Sequence, residues 1–229
     1  MTNQNEKLLD FIKLRTGIEN LDTLLRGGFE PGLVHIYGPP ATGKSNFAMQ
    51  LIINAITKHN AKPVYLDLNG TFSFKRMIQL ADYDKNKLND FRLLQIQGYD
   101  DFINIINSID SSIEKDTVLL VIDPITYFYR LTINKNNWFK KMHELNEIIL
   151  TKLIGLSLFK QLIIVLINQI TGNKSEPAAV CQKNIDRYSK YSLLFYTKRA
   201  GKKYLMLKKS RNIKIKKSIP INIQNNKII

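Results

Sequence analysis

Up to about residue 186, short apolar runs alternate with longer stretches whose apolar positions recur every three or four residues. Five of the short runs read as strands: LVHIY (33–37), PVYLDL (63–68), RLLQI (92–96), TVLLVID (117–123) and QLIIVLIN (161–168). Helical periodicity occupies about 43–58, 74–81, 101–114 and 138–160, between and beside them. Strands alternating with helices predict an α/β fold, a mainly parallel twisted sheet flanked by helices. After residue 186 the pattern changes to short alternating runs, SLLFYTK, KYLMLKK and SIPINI, separated by AGKK and SRNIKIKK. These read as hairpin-linked antiparallel strands extending the same sheet. The expected organisation is one domain over 1–229, with a lead-in at 1–14, a core at 15–186 and the strand extension at 187–229.

Composition adds three constraints. Apolar residues at 44% and charged residues at 23% are those of a globular protein. Lys and Arg exceed Asp and Glu by 34 to 19, a formal charge of +15, and no acidic residue follows Asp186. Such an excess favours a polyanion such as DNA, RNA or a membrane surface as partner, although Lys, Asn and Ile are abundant throughout. The single cysteine, Cys181, excludes an internal disulfide, and the N-terminal residues lack the features of a secretory signal. Residues 148–167 approach membrane length, but Lys152, Lys160 and Gln161 interrupt them and predict a helix followed by a buried strand. The expectation is a soluble cytoplasmic protein without a membrane partner.

GPPATGKS, residues 38–45, fits G-x-x-x-x-G-K-[ST] between a predicted strand and a predicted helix. In that context the backbone of Gly38, Pro39, Pro40, Ala41, Thr42 and Gly43 wraps phosphates, and the helix start at Ser45 and Asn46 offers free N–H groups. Lys44 meets the terminal phosphates and Ser45 holds magnesium, so ATP and Mg²⁺ are the expected ligands. Magnesium needs a carboxylate facing Ser45, and VLLVID ends a buried strand at Asp123. His35, His59 and His143 have no metal-ligand spacing with one another or with Cys181; no further metal is expected, and His35 reads as a core residue.

The chain resembles the RecA-type recombinase ATPase core. The resemblance rests on RTGIENLDTLLRGGFEPGLVHIYGPPATGKS, YLDLNGTFSFKR (65–76), VIDPITYFYR (121–130) and LINQI (166–170), in the family's order, and covers about residues 15–215. Within that family the chain is most similar to the archaeal RadB-like group, which has the ATPase core without the N-terminal DNA-binding domain and polymerisation linker. KaiC-like ATPases and adaptor paralogs, acting through a protein partner without direct DNA binding, share the opening motif. The resemblance implies a RecA-like P-loop NTPase core and a role in DNA repair and homologous recombination. It implies a DNA partner, single-stranded in the first place, and a recombination or repair protein as a further one.

The resemblance also implies residue roles. Arg76 stacks on adenine, or is simply a solvated helix residue. Gln169 senses the terminal phosphate and opens the second DNA-contacting loop, TGNKSEPAAVCQKNIDR, where Ala178 and Ala179 stand in place of glycines common in the family. Arg130 with LTINKNNW corresponds to the first loop. Trp138 stacks on a base, or begins a helix buried on the sheet through Phe139, Met142, Leu145 and Ile149. Lys209 and Arg211 face a neighbouring subunit's nucleotide, or belong to a basic surface with Lys198, Arg199, Lys202, Lys203, Lys208, Lys214, Lys216 and Lys217. Finally, the family's water-activating glutamate is replaced by Asn69. An amide orients water but takes up no proton, so catalysis by Lys44, Asn69 and Gln169 is expected to be slow, that of a weak DNA-dependent ATPase at most. Asp67, two residues back, has too short a reach to substitute.

Overall fold

Strands form at the five apolar runs: β1 (Gly32–Gly38), β2 (Val64–Asp67), β3 (Arg92–Gln95), β4 (Leu119–Asp123) and β5 (Ile163–Thr171). The structure is a computed structural model describing residues 12–132, 137–171, 178–210, 217–225 and 227–229. A two-residue strand, β6 (Ala178–Ala179), pairs with the end of β5. Three further strands follow, β7 (Tyr191–Thr197), β8 (Lys203–Ser210) and β9 (Lys217–Ile221). The sheet order is β3-β2-β4-β5-β1-β7-β8-β9, parallel from β3 to β7 and antiparallel from β7 to β9. The expected α/β sheet with an antiparallel C-terminal extension is therefore observed.

Two apolar cores explain the near-continuous hydrophobicity of the central strands, because each face of the sheet must be covered. Leu119, Val121, Ile163, Val165 and Ile167 point to the side packed by α1 (Glu19–Leu24), α2 (Lys44–His59) and α3 (Phe74–Leu80). Leu120, Ile122, Ile164 and Leu166 alternate to the other side. That side is covered by α4 (Tyr99–Ser112), α5 (Tyr127–Thr132), α6 (Trp138–His143), α7 (Thr151–Lys160) and α8 (Gln182–Tyr188).

The stretch expected as one helix, 138–160, is helical throughout but not uniform. A π-helical segment, Glu144–Leu150, joins α6 to α7. Its wider turn keeps Leu145, Ile149 and Leu150 buried before Leu153 and Leu156 of α7 take over. The apolar stripe starts at Met142, not at Phe139: Phe139 is 85% exposed and Trp138 42% exposed. Successive residues turn by about 100°, which leaves Phe139 some 60° off the line through Met142. The segment 148–167 divides at Gln161, whose left-handed φ of 55° ends α7 ahead of β5. Among the described residues no helix is long and apolar enough to cross a membrane.

The chain ends are sewn into the first core by polar side chains. Asp22, 3% exposed, accepts the N–H groups of Thr16 at 2.7 Å and Gly17 at 3.2 Å, which fixes the lead-in over α1. Gln50, 5% exposed on α2, donates to the carbonyls of Thr16 at 2.8 Å and Ile228 at 3.1 Å, and accepts from Ile228 N at 2.5 Å. Residues Asn222 and Ile229 exchange backbone hydrogen bonds, so the tail closes on itself as a hairpin. Replacing Gln50 with Ala strands three buried backbone groups, each worth roughly 1–3 kcal/mol when unpaired. The Gln50→Ala chain is expected to lose about 3 kcal/mol in urea unfolding, with a smaller loss for Asn54→Ala, whose single bond to Arg15 is exposed.

Candidate functional site

The loops leaving β1, β2, β4 and β5 meet at one edge of the parallel sheet, where ligands of such sheets bind. Gly38 closes β1 against β7 so tightly that an added Cβ would lie 2.1 Å from the carbonyl oxygen of Phe195. Gly43 takes φ 103° directly before α2, and a Cβ there would come within 2.6 Å of Ile223 Cδ1. Thr42 Oγ1 donates to the Pro39 carbonyl at 2.8 Å and holds the loop in its curve. Ala41 stands in the left-handed region at φ 60°, a conformation that costs a residue with a Cβ about 1–2 kcal/mol.

Lys44 is 7% exposed, and its Nζ donates to the carbonyls of Gly38 at 2.9 Å and Pro39 at 2.7 Å. Burial lowers its pKa to about 8, against the pull of the Asp123 charge. Ser45 Oγ donates to Asp123 Oδ2 at 2.7 Å, and the Tyr65 hydroxyl donates to the same oxygen at 2.5 Å. Burial pushes the Asp123 carboxyl up, while the bonds from Tyr65 and Ser45 and the charge of Lys44 pull it down. Ala41, Gly43, Lys44, Ser45 and Asn46, with Lys203 and Ile223, line a cleft of about 350 Å³. The Ser45 hydroxyl and the Asp123 carboxylate are hard oxygen donors in contact, a set that fits magnesium and leaves its other positions to water and phosphate.

The turn after β2 divides its two candidate side chains. Asp67, 1% exposed, accepts backbone N–H groups from Asn69 at 3.4 Å, Thr71 at 3.2 Å and Phe72 at 3.0 Å. Its carboxylate closes the turn. Asn69 is half-buried, and its Oδ1 accepts from Thr71 Oγ1 at 2.7 Å.

Arg76, on α3, does not reach into solvent. Its guanidinium donates to the carbonyls of Asn225 at 2.6 Å and Gln224 at 2.8 Å, so the C-terminal hairpin holds its edge while Ile223 lies on the phosphate loop. Gln169 sits beside Gly38 in the β1–β5 register, and its side-chain oxygen accepts from Arg130 on α5. Lys209 turns inward to the carbonyls of Asp186 and Arg187, the last turn of α8, where a cation is favoured. On the open face of the antiparallel strands, Tyr196 and Tyr204 stack at 5.6 Å, with Lys198 Nζ 4.5 Å over the Tyr204 ring. Residues 133–136 and 172–177 of the two candidate loops, and Arg211, Lys214 and Lys216, lie outside the described residues. Among those described, no three His, Cys, Asp or Glu side chains form a metal-binding group.

The structure thus gathers Gly38 to Asn46, Asp123, Asn69 and Gln169 at one edge, with Arg76 joined to it through the tail. Sequence reasoning passed over Tyr65, Arg130's tie to Gln169, and the tail. A tyrosine inside a buried strand needs a partner for its hydroxyl, and that signal was available at Tyr65. Arg76 and its carbonyl acceptors are 148 and 149 residues apart, and no local pattern joins them.

Comparison with known proteins agrees with this arrangement. The Rad51 family model matches residues 7–218. The chain is 34% identical over 155 residues to the DNA repair and recombination protein RadB of Methanosphaera stadtmanae, covering 66% of this chain and 65% of the relative. It is 31% identical over 142 residues to RadB of Thermococcus kodakarensis, covering 60% and 63%. The matched part thus spans slightly under two thirds of the length of these two relatives. With RadB of Pyrococcus horikoshii the match is longer, 28% identity over 206 residues and 86% of each chain. A solved structure described as the crystal structure of the RadB recombinase superposes with a TM-score of 0.79 at 25% identity, covering 94% of this chain and 98% of that one.

The left-handed Ala41 gives a direct check on the loop geometry. Ala41→Gly removes the Cβ strain and loses roughly 0.4–1 kcal/mol to the freer unfolded chain. The balance is a gain of up to about 1.5 kcal/mol, read as a raised melting temperature in calorimetry; a loss of stability would mean that residue 41 does not take the left-handed conformation.

Proposed function

We propose a function on one premise: this chain belongs to the Rad51 family and is a RadB-like protein. It binds ATP with magnesium at the GPPATGKS loop, binds DNA, and assists repair and homologous recombination with nucleotide acting as a conformational ligand more than as fuel. The observation that carries the reading is the contact of Ser45 with Asp123 above a loop whose lysine is held in place by Gly38 and Pro39.

The chain's own residues divide the work. The backbone of the loop and the start of α2 receive the phosphates. Lys44 exchanges two carbonyl oxygens for phosphate oxygens, and Ser45 and Asp123 hold the magnesium, which when bound neutralises phosphate charge. Arg76, fixed by its edge, keeps its planar faces for stacking on the base. Asn69 orients water without accepting its proton, and Asp67 cannot replace the base because its oxygens serve the turn. Loss of a general base costs roughly 10²–10⁴ in rate, so hydrolysis is slow. Gln169 registers the terminal phosphate from its place beside Gly38, and Arg130 links it to the first loop. The basic extension contacts single-stranded DNA through its phosphates.

Lys44 gives the first test. Phosphate favours the ammonium form, so binding draws in protons where the free protein has lost them, and ATP affinity falls as pH rises through about 8. Calorimetry at pH 8.5 in buffers of different ionisation enthalpy should show this uptake, and Lys44→Ala should abolish it and weaken ATP binding at least about tenfold. Unchanged ATP affinity in Lys44→Ala would remove the assignment of the loop. The second test is Asn69→Glu, for which ATP turnover should rise by about tenfold or more, with ATP affinity within about threefold of native. A flat rate would show that the amide does not limit hydrolysis.

A further inference from the structure

A second polar cluster lies inside the sheet around His35. His35 is fully buried in β1, three residues before the end of the strand that delivers the phosphate loop. Its ring stacks on Tyr37 at 4.9 Å, and its Nδ1 lies 2.7 Å from Asp186 Oδ1 on α8. Its Nε2 lies 3.3 Å from Asn168 Nδ2 on β5. A carboxylate can only accept, so Nδ1 carries the proton and Nε2 accepts from the amide.

That assignment fixes Asn168, which is also fully buried. Its Nδ2 gives one hydrogen to His35 and the other to the Val180 carbonyl at 2.6 Å. Its Oδ1 accepts from Thr126 Oγ1 at 2.7 Å and from the backbone N–H of Gln169 at 2.8 Å. All the usual positions of the amide are filled, so it cannot flip without losing several bonds. The same side chain therefore holds Gln169 at the end of β5 and Val180 on the far side of residues 172–177. Asp186 carries the chain of contacts further: its Oδ2 accepts from Gln182 Nε2 at 3.3 Å, and its carbonyl accepts from Lys209.

We propose that His35 is a positioning residue: by fixing the amide of Asn168 it sets the place of Gln169 and Val180, and through Asp186 that of Lys209, so that these groups respond together to the terminal phosphate. The proposal rests on the reading of Gln169 as the residue that senses that phosphate. Packing alone does not call for an imidazole here: a phenyl ring would fill the volume, but it would leave Asn168 without an acceptor and Asp186 without a donor. His35, Asn168 and Asp186 are each paired, and the ends of the cluster fall on the residues that the nucleotide and the second loop bring into play. This is the condition under which a buried network specifies one arrangement.

The test uses the full chain with two variants. His35→Phe removes both ring nitrogens at similar volume; His35→Gln keeps an acceptor for Asn168 and a donor for Asp186. A labelled single-stranded oligonucleotide is titrated in the presence of ADP or of an imido analogue of ATP, and amide exchange is followed at Gln169 and, as control, at Val165. The native chain should bind the oligonucleotide differently with the two nucleotides. His35→Phe should reduce that ratio at least about tenfold and speed exchange at Gln169 by a similar factor, with Val165 unchanged and ADP affinity within about threefold. His35→Gln should keep the ratio within about threefold of native. A native ratio of one overturns the phosphate-sensing reading and this inference with it. A native ratio above one that survives in His35→Phe overturns the inference alone. Should the Phe variant not fold, ring ¹⁵N shifts of the native protein decide: a proton on Nδ1 with an accepting Nε2 supports the network, and a proton on Nε2 overturns it.

Discussion

β1 is hydrogen-bonded along both edges by parallel strands, β5 from Gly32 to Gly38 and β7 from Val34 to Tyr37. A strand so enclosed has no freedom of register, because a slip by one residue would turn its apolar set to the wrong core. Everything at the candidate site follows from that fixity. The phosphate loop leaves β1 at Gly38, whose neighbour across the ladder is Gln169, and the β4–β5 and β2–β4 pairings bring Asp123 and Asp67 to the same edge. The groups that would meet a nucleotide come from segments far apart in sequence, yet their relative heights are set by ladder hydrogen bonds and not by loop conformation.

The same enclosure makes polar residues inside the sheet costly unless paired, and the chain pairs them across elements. Tyr65 satisfies its hydroxyl on Asp123, Gln50 joins the lead-in to the C-terminal hairpin, and Asn168 on β5 joins His35 of β1, Thr126 ahead of α5, and Val180. Each ties together segments far apart in the sequence. The C-terminal hairpin gains most from this. It is fixed beneath by Gln50, carries Ile223 onto Gly43, and offers its turn carbonyls to Arg76.

What could be read from the sequence was what short-range pattern encodes. GPPATGKS and the acid ending VLLVID are each local, and the five apolar runs needed only a period of two or a buried run to be recognised. The short helices α1, α5 and α8 were not anticipated, because six or seven residues make too few turns for a periodic signal. Long-range pairing was equally out of reach: His35 meets Asp186 across 151 residues, and Gln50 meets Ile228 across 178. His35 was read correctly as buried, but a single buried histidine gives no hint of its partners. Phe139 shows the opposite error, an apolar residue at nearly helical spacing that the π-helical segment and the start of the core leave outside.

The turn after β2 sharpens the proposed chemistry. Were Asp67 free, it would stand two residues from the place where a base is wanted and could take over part of that role. Its oxygens instead accept three backbone N–H groups of the turn. Pulling the carboxylate toward a nucleotide would break all three of these bonds. The turn geometry and the missing glutamate therefore act in the same direction. On the proposed reading, a site built this way would gain its response to ATP from whatever the terminal phosphate displaces, and the side chains placed to be displaced would be Lys44, lodged on two carbonyls, and Gln169, held by Arg130 and by the amide behind it.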